Sequence, residues 1–157
     1  MENSKLVIII SAMTGNHVIG NESGLPWSIP EEYQQYLDFV EGNTVIMGRK
    51  SYNIYGKDLK KTRVLVITRQ ASITGAKAVP SLEAAIEEAK LHTQRIFIAG
   101  GGSIYKVAID LADEMYLSFI KGSFEGNTYF PLIKLEDWDI IREENHSRFI
   151  FKHFRRK

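Results

Sequence analysis

A chain of 157 residues with 44% hydrophobic and 25% charged side chains has the size and balance of one globular domain, able to bury roughly two thirds of its unfolded surface. Its 20 basic and 19 acidic residues leave a net charge of +1, which gives no electrostatic pull toward nucleic acid or an anionic membrane. Cysteine is absent, so disulfides, thiol nucleophiles and cysteine-held zinc or iron–sulfur groups are excluded, and a reducing cytoplasm is the expected compartment.

In chain order, Leu6-Val7-Ile8-Ile9-Ile10 is continuous and β-branched, the pattern of a strand covered on both faces. It is too short for a membrane span of about 20 apolar residues, and it lacks the flanks of a secretory signal. The stretch from Gly20 to Val40 opens as a loop, with Gly20, Asn21, Ser23 and Gly24, and closes as a helix. Tyr33, Tyr36, Leu37 and Val40 share one face of a 3.6-residue repeat. Ser28, three residues before Glu31, predicts a capping box, and Pro30 suits a first helical turn. On this helix Glu31 points away from the apolar stripe while Glu32 borders it. A carboxylate carried to the edge of an apolar wall is placed as a proton-handling acid would be. Spacing alone leaves the plainer reading open, in which both acids complement the positive end of the helix dipole.

Thr44-Val45-Ile46-Met47 and Val64-Leu65-Val66-Ile67 read as further buried strands, with a short helix through Tyr55 after the first and a brief strand near Ala78-Val79 after the second. Ser81 caps a helix over residues 82–90, with Leu82, Ala85, Ile86 and Ala89 at helical spacing. Arg95–Ala99 is strand, followed by a short helix carrying Ile104, Tyr105 and Ala108; Met115–Ile120 is strand again. The end of the chain reads as a hairpin, residues 138–143 against 148–154, turning at Asn145-His146. Buried strands alternating with short helices predict one α/β domain over residues 1–157. Its mostly parallel sheet of about eight strands is flanked by short helices and closed by an antiparallel C-terminal hairpin.

Open α/β sheets bind ligands beyond the carboxyl ends of their strands. Three strand ends here carry residues suited to phosphate: Gly48-Arg49-Lys50-Ser51, Thr68-Arg69 and Gly100-Gly101-Gly102-Ser103. Glycine allows close backbone approach, a following helix offers free N–H groups, and arginine offers a bidentate fork. Each motif alone reads equally as a tight turn beside solvated cations; three together suggest a ligand with several phosphates. Neither the P-loop pattern nor G-x-G-x-x-G nor G-x-S-x-G is present. His17, His92, His146 and His153 show no ligand spacing, so no metal site is expected.

Five stretches in order, Val18-Ile19-Gly20, Leu25-Pro26-Trp27, Val45-Ile46-Met47-Gly48-Arg49, residues 98–105 (IAGGGSIY) and residues 125–131 (EGNTYFP), together resemble dihydrofolate reductase, over almost the whole chain. The resemblance implies a fold of that type, NADPH as cofactor and dihydrofolate as the small-molecule substrate, with a monomer expected and neither nucleic acid nor membrane as partner. It implies catalytic roles for Glu32 as the acid of the pterin site, Ser118 as its hydroxyl partner, and Leu25 and Trp27 in the loop over the nicotinamide. Ile10, Ser11, Tyr33 and Tyr36 match substrate-pocket positions, as do Ile54, Leu59, Ala99 and Tyr105. Cofactor contacts map to Ser11, Ala12 and Ile19, then to Gly48, Arg49, Lys50 and Ser51. Thr68 and Arg69 follow, with Arg69 near the adenosine 2′-phosphate. Gly100, Gly101, Gly102, Ser103 and Ile104 complete the set, and a cis Gly100–Gly101 peptide is implied.

The chemistry agrees with the residues. Reduction of dihydrofolate needs a hydride at C6 and a proton at N5, and the cofactor carries the hydride. One desolvated carboxylate then suffices to orient the pterin and promote protonation, under a lid formed by residues 14–28. Departures stand at Thr62, where the family usually has an arginine for the glutamate tail, and at Leu37, where many bacterial members have lysine. Lys57, Lys60, Lys61 and Arg63 are the nearby cations. Asn127 replaces a frequent aspartate in the loop supporting the lid. Two alternatives follow: a related reductase of another pterin or a ribosylaminopyrimidine, and a non-catalytic nucleotide-binding module.

Overall fold

The computed structural model describes residues 5–20 and 26–157, so Leu25 and the glycine-rich start of the loop lie outside the described residues. Eight strands form one sheet, in the order β5-β4-β3-β6-β1-β7-β10-β9. They are β1 (Leu6–Thr14), β3 (Thr44–Gly48), β4 (Arg63–Ile67), β5 (Lys77–Val79), β6 (Arg95–Ile98), β7 (Glu114–Ile120), β9 (Trp138–Asn145) and β10 (Phe149–Arg156). The pairs from β5 across to β7 are parallel, while β10 runs antiparallel to both β7 and β9. The expected architecture is therefore the observed one, with β1 running to Thr14 rather than stopping at Ile10.

The apolar runs are continuous because the sheet is covered twice. Along β1, Val7 and Ile9 join the core under α3 (Leu82–Lys90) and α4 (Gly102–Ala108), while Ile8 and Ile10 join the core on the face of α1 (Pro30–Val40). The Ser81 hydroxyl accepts from the Ala84 N–H at 3.1 Å, as its position before the helix predicts.

Two local expectations change. α1 is not opened by a Ser28 capping box: Ile29 is the N-cap, and its carbonyl accepts from the Glu32 and Tyr33 N–H groups at 3.1 Å each. Pro30 fixes the first helical φ, so the cap falls on the residue before it and leaves Ser28 one position outside. A second small sheet was not expected: β2 (Val18–Gly20) pairs antiparallel with β8 (Thr128–Tyr129). Strands of two or three residues have no period to detect, and these lie over a hundred positions apart in the chain.

The chain order positions the site. After β1 the chain crosses to β3, and after β6 to β7 on the other side, so connections leaving the adjacent carboxyl ends of β1 and β6 diverge. Such a reversal opens a crevice at the sheet's edge. Among the described residues, no helix is long and apolar enough to cross a membrane.

Candidate functional site

A cavity of about 620 Å³ opens at that crevice, within the range of small-molecule sites. Its floor is Ile10–Ala12 in the second half of β1 and Ala99–Tyr105 after β6. Residues 48–51, where β3 passes into α2 (Arg49–Tyr55), form one wall, and Glu32, Tyr33 and Tyr36 of α1 form another.

Glu32 is 7% exposed although it lies in the first turn of a surface helix, whereas its neighbour Glu31 faces solvent. Burial disfavours the charged carboxylate and raises its pKa from 4.5 to about 7; the Ser118 hydroxyl, hydrogen-bonded to it from β7, opposes that shift. Burial therefore brings the acid's titration from the carboxylate range toward neutral pH. Burial also pushes the Tyr36 and Tyr105 phenols upward, so both stay neutral beside it. The Tyr105 hydroxyl donates to the Ile10 carbonyl at 2.8 Å and ties α4 to the middle of β1.

The Gly100–Gly101 peptide is cis, and Gly100 has φ +106°, a conformation that favours glycine. The Gly100 carbonyl accepts from the Gly48 N–H at 2.9 Å, which joins the two glycine-bearing strand ends into one surface. Two helices start from it, α2 capped by Gly48 and α4 by Gly101. First-turn N–H groups have no partner within their own helix, so this surface presents donors without side chains in front of them.

A family model for dihydrofolate reductase matches residues 6–156. A dihydrofolate reductase of Staphylococcus aureus is 34% identical over 158 residues, covering 95% of this chain and 97% of its own. The chain belongs to the dihydrofolate reductase family. A type A13 dihydrofolate reductase of Escherichia coli is 31% identical over 140 residues, covering 88% of this chain and 85% of its own. A solved dihydrofolate reductase from Enterococcus faecalis, complexed with NADP(H) and RAB-propyl, matches with a TM-score of 0.87 at 24% identity, covering 97% of this chain and 96% of that one; at that identity the likeness is one of fold.

Most positions singled out by resemblance to dihydrofolate reductase meet in the one cavity: those of β1, α1, α2 and the glycine turn, together with Ile19 and Ile54. Others stand apart. Ser118 lies behind Glu32, and Leu59 is buried in the core on the α1 side. Trp27 is buried there too, with its ring edge-on to Phe124 at 5.7 Å, and its indole N–H has no partner among the described residues. Thr68 and Arg69 follow β4 outside the cavity wall; the Thr68 N–H bonds the Val79 carbonyl at 2.9 Å, and Arg69 is exposed. Leu25 lies outside the described residues.

The cavity also includes residues to which the sequence reading gave no site role: Gly20, Met47, Tyr55, Ile67 and Thr128. The signal for Met47 and Ile67 was available, since each ends or nearly ends a buried strand whose neighbour was already a candidate. Thr128 stood in the motif over residues 125–131 but was given no role there, because only the β2–β8 pairing brings it to the cavity. At the departure from the dihydrofolate reductase pattern, the Thr62 hydroxyl turns back to the Lys60 carbonyl at 3.1 Å, and Lys57, Lys60, Lys61 and Arg63 are all exposed.

Proposed function

We propose that this chain reduces 7,8-dihydrofolate to 5,6,7,8-tetrahydrofolate with NADPH, in support of one-carbon metabolism. The observation that carries the reading is the buried Glu32, poised near neutrality in the same cavity as the two glycine-bearing strand ends. The residues present fit a phosphate-bearing dinucleotide. A Cβ built at Gly101 would meet only the Ser51 hydroxyl, at 3.6 Å, so any side chain there would project toward the cavity space that the glycine leaves open. Arg49, Lys50 and Ser51 line the same wall and would hold phosphate oxygens together with the turn's N–H groups. Arg69 would meet the 2′-phosphate.

Bound NADPH supplies the hydride that reaches C6 of the pterin. The chain's own part is to orient, to exclude water and to handle one proton. Ionised, Glu32 accepts hydrogen bonds from the pterin's amino group and ring N–H; its apolar surroundings raise its proton affinity and promote protonation at N5 through a water. Tyr33, Tyr36 and Ile54 hold the ring system by contact, with Tyr105 bracing the floor through Ile10. The Ser118 hydroxyl keeps the acid oriented. The cysteine-free composition fits a reducing compartment such as the cytoplasm.

The test is NADPH oxidation, followed by absorbance, with dihydrofolate and with the same pterin lacking its glutamate. Turnover that favours dihydrofolate confirms the reading and assigns tail recognition to the exposed cations near Thr62. Glu32→Gln is expected to lose roughly 100- to 10,000-fold in turnover at neutral pH while NADPH affinity is retained. Near-normal turnover of that variant would remove the acid's assigned role.

A further inference from the structure

Gln35 stands one helical turn after Glu32 on α1, on the same flank of the helix. Its side-chain amide donates to the Ser118 hydroxyl at 3.3 Å, and that hydroxyl in turn hydrogen-bonds the Glu32 carboxylate. A serine hydroxyl has one proton to give and lone pairs with which to accept. With the amide donating into its oxygen, the single proton is directed at Glu32. The geometry points to Gln35 as a positioning residue for the proton-handling step: through Ser118 it holds the hydroxyl as a donor to Glu32.

Gln35 is half-buried and has a second aspect. It also borders a shallow depression of about 410 Å³ on the outer side of α1, shared with Glu31, Asp38, Phe39, His146 and Phe149. The main cavity lies on the other side of the helix, against Glu32 and Tyr36. Gln35 therefore stands between Ser118 and the water of the depression. A water in its place would accept as readily as donate, and the direction of the Ser118 proton would no longer be set.

The surroundings of Glu32 simplify the reading. Its titratable neighbours are Tyr36 on α1 and Tyr105 on α4, both held neutral by burial. Ser118 of β7 and Gln35 do not titrate. The cations Arg49 and Lys50 of α2 line the same cavity but are exposed, and Glu31, Asp38 and His146 face Gln35 from the depression.

The inference rests on the reading of Glu32 as the acid of the reductase. It is tested by the pH dependence of hydride transfer in the full-length protein with NADPH and dihydrofolate, for wild type, Gln35→Met, Ser118→Ala and the double variant. Gln35→Met is expected to raise the apparent pKa by about 0.5 to 1 unit, the size of one lost hydrogen bond between neutral groups. Ser118→Ala raises it at least as far, and adding Gln35→Met to Ser118→Ala changes nothing more. NADPH affinity and melting temperature report whether each variant is folded, and Gln35→Leu, equally unable to donate, repeats the measurement with different packing. The opposite amide orientation would draw the Ser118 proton away from Glu32, so a fall in apparent pKa overturns the inference. An unchanged value, or a shift that persists without Ser118, overturns it as well. A profile that depends on Glu32 but not on Gln35 sinks this inference alone. A profile that survives Glu32→Gln unchanged sinks the assignment of the acid together with it.

Discussion

The Tyr33 hydroxyl donates to the Asp58 carboxylate at 2.6 Å, tying the first turns of α1 to the 3-10 turn over Gly56–Asp58 that follows α2. Tyr33 and Tyr55 both line the cavity, with ring centroids 6.3 Å apart, so this bond fixes the aromatic rim between two elements that share no strand. Burial and the neighbouring carboxylate both push the Tyr33 phenol upward, and it stays a donor across the working pH range.

Tyr33→Phe removes that donor and keeps the ring. Loss of one half-buried hydrogen bond to a carboxylate is expected to cost about 1 kcal/mol of stability. The Michaelis constant for dihydrofolate should rise a few-fold as the rim loosens, with NADPH affinity unchanged. Denaturant unfolding and steady-state kinetics read the two effects. An equal loss of cofactor affinity would show that the tie supports the whole cavity and not its pterin end.

Glu32 makes stability depend on pH with a definite sign. Its carboxyl binds a proton more tightly in the folded chain, at about 7, than at its ordinary value of 4.5. The contribution is thus complete below about 4.5 and is lost as pH rises through 7, by about 3 kcal/mol in all. Glu32→Gln escapes this loss. Its melting temperature should match wild type at pH 4 and exceed it by roughly 5–10 °C at pH 8. A difference that does not change between the two pH values would mean that the carboxylate is not desolvated.

Arg69 follows β4 on a turn whose start is held by the Thr68–Val79 bond, and it is exposed, free to reach an anion beyond the strand ends. Arg69→Ala should narrow the preference for NADPH over NADH roughly 10- to 100-fold, the worth of one charge-assisted phosphate contact. Ratios of kcat/KM for the two cofactors measure this directly. If the preference is unaltered, the 2′-phosphate is held elsewhere.

The buried strands were legible because a sheet covered on both faces demands unbroken apolar runs, and Ser81 was legible as a cap because capping is a matter of adjacent residues. Glu32 was legible as the inward acid from its phase against Tyr36 and Val40, and the burial of that side chain beside an exposed Glu31 follows the same phase. The cap of α1 was misread because two local signals compete there, and a proline's fixed φ outweighs a serine one place too early.

What the sequence determined by itself was element type, strand burial and the phase of α1, all set by neighbours within a turn or a pleat. Tertiary structure alone decided that β6 lies between β3 and β1, that Thr128 reaches the cavity through the β2–β8 ribbon, and that Gln35 meets Ser118 across a sequence separation of 83. Those contacts depend on the path of the chain through space. No periodicity encodes them, because each joins residues whose local environments are independent until the sheet has assembled.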